Sequence, residues 1–353
     1  MPIAPPKSTI EVPERHRFDE ASLEQWLEAF VPQWGGRLTL RQFKGGQSNP
    51  TYWLTDGRSE LVLRKKPAGE LLASAHAVDR EYRVMRALGD TDVPVPRVHG
   101  FCDDRAVIGT SFFVMDYVQG RIFWNLRLPK LDRAERRAVY DEVVRVLATI
   151  HAVDVDAVGL GDYGKREAYV ARQVKRWSEQ YRASATAEIA TMERLIEWLP
   201  EHIPAEDPAT LCHGDFRLDN FIFHPREARI LAVIDWELST LGQPLADLGY
   251  LCMLYDVVLP RIGGLMGVDF DETGIPTERE LVTRYRVLTG RDAHGDLPYF
   301  KAFSLFRLAA IAQGVYKRSQ LGNASSDDAV MFGRAVPLLA AIACRLVGLS
   351  AVA

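Results

Sequence analysis

The sequence predicts an α+β fold in two lobes, an antiparallel-sheet N-lobe followed by a mainly helical C-lobe. Two observations carry that expectation. Between Leu38 and Leu63 the chain runs LTLRQF, TYWLTD and ELVLRK, short alternating stretches separated by glycine- or charge-rich turns, as in strands joined by hairpins. After Gly120 the periodicity becomes helical almost throughout, apart from a β-like insert in the middle. With 353 residues the chain is long enough to bury a sizeable core in two parts.

Taken in order, the first dozen residues read as a loose arm because of their prolines, and Ser22 to Phe30 as a short amphipathic helix. After the three strands, Leu71, Ala75, Val78, Tyr82 and Met85 step by four and three along a helix that Gly89 is placed to end. The prolines of VPVPRVHGF demand an extended segment, and SFFVMDYV reads as a strand. A connector near Asp116–Gly120 follows, which places the N-lobe at 1–115 and the C-lobe at 116–353. Asp132 and Glu135 form a capping box ahead of Val139, Val143, Val146 and Ile150. Further helices fit Tyr169–Ser184, Ala187–Leu199 and Glu278–Leu288, while LCHGDF, NFIF and ILAVIDW are short β-like runs among turn residues.

Composition narrows the function. The chain is 47% hydrophobic and 25% charged, with a net charge of −4, which gives no electrostatic case for nucleic acid or an anionic membrane as partner. No apolar stretch has the length to span a bilayer, and the N-terminus lacks the apolar core of a signal peptide, so a cytoplasmic protein is expected. Cys102, Cys212, Cys252 and Cys344 are widely spaced and read as buried free thiols.

The chemistry-bearing residues are His213-Gly214-Asp215, Asn220 five places after the aspartate, and Ile234-Asp235-Trp236-Glu237. Phosphoryl transfer needs a base to orient an attacking hydroxyl and a metal to neutralise the triphosphate. Asp215 on a short loop can accept the hydroxyl proton. Asn220 can offer its amide oxygen, and Asp235, at the end of an apolar strand, a carboxylate, to Mg2+, which favours hard oxygen ligands. Each piece alone is commonplace in turns and caps; their order and flanking apolar runs make the set informative. Gly45-Gly46-Gln47-Ser48-Asn49 lies between two strand-like runs, where glycines allow backbone N–H groups to approach phosphate. A cation from LVLR and an acid on the helix bearing Glu81 would complete a phosphate-holding set.

With these motifs the chain resembles the aminoglycoside phosphotransferase (choline kinase-like) family, a branch of the protein-kinase-like fold. Within it, the chain is most similar to the kinase-like domain fused to acyl-CoA dehydrogenase in some animal proteins. The resemblance runs from about Phe43 to Ser326 and rests on FKGGQSNPTYWL, LVLRKKP, SAHAVDREYRVM, FFVMDYVQGRIF, AYVARQVKRWSEQY, HGDFRLDN and VIDWELSTLGQPLADLGY. It implies an ATP- and Mg2+-dependent small-molecule kinase of two-lobed fold, with ATP between the lobes. Asp215 would be the base, Asn220 and Asp235 the magnesium ligands, and Gly45 to Asn49 the phosphate-covering loop. Glu81 would be the helix acid, Met115-Asp116-Tyr117-Val118 the hinge that meets adenine, and Asp247 a brace for the catalytic loop. Aligning LVLR on the kinase strand puts Arg64 at the cation position, with Lys65 next door as the competing choice; strand alternation sends the two to opposite faces.

Several residues keep two readings. Arg217 could stabilise the transferring phosphoryl group or pair with Asp219 as a loop arginine. Glu237 could meet substrate or make a structural contact. Arg172, Lys175 and Arg176, at helical spacing, form either a solvated basic face or a dock for the phosphates of a coenzyme A thioester. From Leu251 to the end there are ten acidic and eleven basic residues, a balance that gives no support to a polycationic acceptor. The fused relatives point instead to a hydroxyacyl metabolite or its CoA thioester. An antibiotic kinase and a nucleotide-binding pseudokinase are the alternatives. The intact Asp215, Asn220 and Asp235 count against the latter, and the short span from Asp235 to Pro244 against a protein substrate.

Overall fold

The structure is a computed structural model that describes residues 3–44, 49–67, 78–259, 263–320 and 329–350. By its internal contacts the chain divides into two compact units, Met1–Arg121 with Phe221–Leu238, and Ile122–Asn220 with Ser239–Ala353. The segment 221–238 thus clusters with the first unit, although it follows the connector in sequence.

The first unit is built on a six-stranded antiparallel sheet of order β1-β2-β3-β4-β6-β5. Its strands are β1 (Thr9–Ile10), β2 (Thr39–Phe43), β3 (Thr51–Thr55), β4 (Glu60–Lys65), β5 (Val98–Cys102) and β6 (Phe112–Asp116). One face carries Tyr52, Leu54, Leu61, Leu63, Phe112 and Val114 into a core shared with Leu23 and Leu27 of helix α1 (Glu20–Phe30). Asp19 caps that helix by accepting the Ala21 and Ser22 amides, a cap worth about 1 kcal/mol. Residues 9 and 10 are not part of a loose arm: Thr9 pairs with Phe43 and Ile10 with Gln42. The free edge of β2 offers backbone groups that a two-residue strand satisfies, and nothing in so short a stretch signals it. Helix α2 (Val78–Leu88) turns Glu81, Val84, Met85 and Leu88 inward; Leu71 and Ala75, expected on the same helix, lie outside the described residues. The hairpin of β8 (Phe221–Phe223) and β9 (Ile230–Val233) completes this unit.

The second unit is mainly helical. Helix α4 (Arg133–His151) follows the short α3 (Arg105–Ile108) of the first unit, and its Asp132–Glu135 capping box forms as expected, with Val139, Val143, Val146 and Ile150 all buried. Next come α5 (Tyr169–Ser184), α6 (Ala190–Glu201) and a two-stranded pairing of β7 (Thr210–Cys212) with β10 (Thr240–Gly242). Then follow α7 (Leu245–Cys252), α8 (Phe270–Thr273), α9 (Glu278–Thr289), α10 (Leu297–Gln320) and α11 (Ala329–Leu346). Gly249 lets α7 and α10 approach closely: a Cβ there would lie 2.6 Å from that of Phe300. The four cysteines are buried thiols. Among the described residues, no helix is long and apolar enough to cross a membrane.

Candidate active-site residues

In the first unit, three carboxylates converge on one guanidinium. Arg64 leaves the last turn-out of β4 and donates through Nε to Glu81 Oε2 at 2.8 Å and through Nη2 to Asp235 Oδ1 at 2.5 Å. Glu237 Oε2 stands 4.0 Å from Nη2 and accepts a hydrogen bond from Asn49 Nδ2 at 3.2 Å. Asp235 follows β9 in a left-handed conformation, φ 66°, which aspartate tolerates better than a branched or bulky residue would. Lys65 has a different environment, buried with its ammonium 5.7 Å from the centre of the Phe18 ring. Arg64 is therefore the cation that meets the helix acid, as strand alternation suggested.

The electrostatics of this group follow from one cation serving three carboxylates. Burial works against the Arg64 charge, but Glu81, Asp235 and Glu237 outweigh it and hold the guanidinium above its ordinary range. Glu81 is the driest of the acids. Burial pushes it up to about 7, and the pull of Arg64, shared with its neighbours, offsets that only in part.

The expected hinge closes β6. The Asp116 N–H donates to Arg97 O at 2.9 Å and the Tyr117 N–H to Glu60 O at 3.2 Å, while the Val118 N–H has no acceptor among the described residues. The Asp116 carboxylate meets His99 Nε2 at 2.6 Å, and Met115 is buried. Gly45, Gly46, Gln47 and Ser48 lie outside the described residues.

In the second unit, the loop after β7 turns through Gly214 at φ 83°, a conformation that requires glycine. Asp247 of α7 pins it, accepting the His213 N–H at 2.7 Å and the Gly214 N–H at 2.9 Å. His151 backs Asp247 at 3.5 Å through Nε2 and meets the Tyr285 hydroxyl at 2.8 Å through Nδ1. Burial keeps His151 below its usual pKa, so a neutral ring can donate to Asp247 and accept from Tyr285. Burial also opposes the Asp247 charge, but the hydrogen bond from His151 and the Gly214 amide outweigh it and hold the carboxyl below its usual range. His213 serves the loop, its Nδ1 accepting the Asp215 N–H at 3.2 Å.

The Asp215 carboxylate is tied at both oxygens. Tyr250 donates its hydroxyl to Oδ1 at 2.7 Å, and Asn220 donates Nδ2 to Oδ2 at 3.0 Å and to the Asp215 carbonyl at 2.8 Å. Arg217 makes the closer pairing with Asp219, at 2.8 Å, and stands 3.5 Å from Asp215 Oδ2. Arg217, Asp219 and Tyr250 line one side of a cavity whose other walls are Leu126, Met253, Leu254, Leu259 and Leu308. The basic residues of α5 stand apart from this cavity lining: Arg172 donates to Lys165 O at 2.6 Å, Lys175 lies 4.0 Å from Glu179, and Arg176 rests on Trp177.

Sequence reasoning missed Tyr250 and Arg307. Tyr250 follows Asp247 by three places on α7, so one helix face presents both, and that spacing could have flagged it. Arg307 is a lone charge within the apolar run FSLFRLAA; it is buried, donates to Gly214 O, and its guanidinium lies 5.0 Å from the Tyr250 ring centre. A buried lone arginine calls for a polar partner.

A sheet-borne Arg–Glu pair and a pinned His-Gly-Asp loop in a helical unit define the protein-kinase-like class. The model of the family described as "Phosphotransferase enzyme family" matches residues 39–272. Acyl-CoA dehydrogenase family member 10 of Mus musculus is 45% identical over 342 residues, which cover 96% of this chain and 31% of that protein. A Ralstonia eutropha crystal structure, provisionally described as an aminoglycoside phosphotransferase, matches with TM-score 0.87 and 45% identity over 94% of this chain and 99% of its own. A thermostable mutant of aminoglycoside phosphotransferase APH(4)-Ia, in ternary complex with AMP-PNP and hygromycin B, matches with TM-score 0.58 and 18% identity over 91% and 98%; that likeness concerns the fold. The chain belongs to the phosphotransferase enzyme family, and it spans about a third of the mouse relative's length.

Proposed function

We propose that the protein transfers the γ-phosphoryl group of ATP, with Mg2+, to a hydroxyl group of a small molecule. The observation that carries this reading is the Arg64 guanidinium, held by a buried helix glutamate and facing the aspartate that follows an apolar strand. Phosphoryl transfer asks a protein for position and charge more than for covalent chemistry. Arg64 meets the α- and β-phosphate oxygens through the N–H groups not given to Glu81 and Asp235. Gly45 to Asn49 would cover the phosphates, and the Val118 N–H, with no acceptor among the described residues, would meet the adenine edge in the hinge Met115–Val118.

Asp215 accepts the proton of the acceptor hydroxyl while that oxygen attacks the γ-phosphorus, the bond to the β–γ bridging oxygen breaks to release ADP, and Arg217 offsets charge on the transferring group. By donor type, the amide oxygen of Asn220 and the carboxylate of Asp235 would each suit a magnesium ion. Asn220 spends its N–H groups on Asp215, which leaves Oδ1 as the ligand atom. When bound, the ion supplies neutralisation of the triphosphate charge.

The acceptor we favour is a hydroxyacyl metabolite or its CoA thioester. From Leu251 to the end ten acidic residues are matched by eleven basic ones, a balance that favours a hydrocarbon-borne hydroxyl over a polycationic antibiotic. The name of the mouse relative points the same way. Glu237 touches the nucleotide side through Asn49, and Arg172 and Arg176 would dock the phosphates of a thioester.

ATP consumption with Mg2+ across hydroxyacyl-CoAs, aminoglycosides, choline-like alcohols and sugars tests the proposal, with Asp215→Ala as control. A signal on one class that the variant abolishes establishes the kinase and its acceptor. Turnover that survives in Asp215→Ala would overturn the base. Binding of ATP·Mg without turnover on any class would favour the pseudokinase, and absence of binding would remove the nucleotide reading altogether.

A further inference from the structure

We propose that Tyr250 is a positioning residue for the transfer, fixing the plane of the Asp215 carboxylate, and that Arg307 holds Tyr250 in place to do so. The proposal rests on the reading of Asp215 as the base.

The arrangement begins in the sequence of α7. Asp247 and Tyr250, three residues apart, share a helix face, and the first grips the backbone of the loop while the second reaches its side chain. Gly249 between them admits α10 at close range, which brings Arg307 over the Tyr250 ring. The same guanidinium donates to Gly214 O, so one buried arginine links the loop backbone to the tyrosine.

A carboxylate tied at a single oxygen still rotates about its Cβ–Cγ bond. Asp215 is tied at both, by donors from different elements: Tyr250 on Oδ1 and Asn220 on Oδ2. Loss of the phenol would leave Asn220 as the stronger tether and free the carboxylate to turn. Burial, and then the neighbouring Asp215 charge, push the phenol well above its usual pKa, so it remains the donor in this pair at ordinary pH. Tyr250 also lines a small cavity together with Arg217 and Asp219. The arginine–ring contact suits an aromatic residue at 250, and the hydrogen bond requires its hydroxyl.

The test compares Tyr250→Phe, Arg307→Lys and Asp215→Ala with the wild-type chain, all in Mg2+ with the best acceptor of the panel. Tyr250→Phe keeps the ring and removes the bond. It is expected to lower kcat about tenfold with the KM for ATP changed less than twofold, since a charge-assisted bond and the geometry of a base act on the transition state. Arg307→Lys, which keeps a charge but loses the planar contact, is expected to move kcat in the same direction. A wild-type kcat in Tyr250→Phe, or an ATP KM that rises as kcat falls, overturns the proposal. An active Asp215→Ala protein overturns the base reading instead. Should no acceptor turn over, the crystal structure of Tyr250→Phe decides: a rotated Asp215 carboxylate supports the positioning role, and an unmoved one sinks it.

Discussion

Arg64 donates to Glu81 at 2.8 Å and to Asp235 at 2.5 Å from one guanidinium that is itself only 11% exposed. Glu81 is drier still, at 2%. Taking both charges out of water costs several kcal/mol apiece, which the pair recovers only while both partners are present. The pair therefore says little about net stability and much about where a cation must stand.

Arg64→Met leaves Glu81 buried without its cation, and a loss of about 3–5 kcal/mol is expected in urea unfolding at pH 8. The loss should shrink at pH 5. Burial raises Glu81 from the ordinary 4.5 to about 7, so at pH 5 the carboxyl is protonated and strands no charge. In the wild type the same shift has the opposite reading from a salt-bridged acid. Its contribution is fully present below pH 4.5 and is lost as pH rises through about 7, so Glu81→Gln should flatten the fall in stability over that window.

Lys65→Met separates the two neighbouring cations. Lys65 packs over Phe18 and burial lowers its pKa, so its charge stabilises little. Lys65→Met is expected to leave the KM for ATP within about twofold and stability within about 1 kcal/mol, whereas Arg64→Met should raise that KM more than about tenfold. Comparable kinetic losses in the two variants would contradict the assignment of Arg64 to the phosphates.

Much of this was legible in the sequence because the signals were local. The short runs TLRQF and ELVLRK between turn residues, the capping box at Asp132 and the four-and-three spacing through Val139 to Ile150 each depend on neighbours within a turn or a strand. The His-Gly-Asp loop and Asp235 were visible because a short motif carries its own turn chemistry. What stayed hidden depends on distant partners. Thr9–Ile10 becomes a strand only because β2 has a free edge, and 221–238 joins the first unit through contacts that no local pattern encodes. Arg307 meets Gly214, 93 residues away, and Tyr250 meets Asp215 across 35.

Asp247→Asn tests the brace. The carboxylate accepts two backbone N–H groups, at 2.7 and 2.9 Å, and an amide in its place must aim an NH2 at one of them. A loss of about 3 kcal/mol at pH 7 is expected. The pH dependence has a definite sign. Asp247 stands below the ordinary 3.8 when folded, so its contribution is present above pH 3.8 and is lost as pH falls through the folded value. Urea midpoints of wild type and variant should therefore differ at pH 7 and converge in strong acid; a constant gap would mean the carboxylate is not what stabilises the loop.

The cavity that Tyr250 and Arg217 help to line measures about 20 Å³, room for a water molecule rather than for an acceptor. Leu254 lines it and is 3% exposed. Leu254→Ala is therefore expected to act as a core truncation and to lower stability by about 2–5 kcal/mol in urea unfolding. The KM for ATP should stay within about twofold, since no nucleotide contact is assigned to this cavity. A variant as stable as the wild type would show that the leucine is not packed as the fold places it.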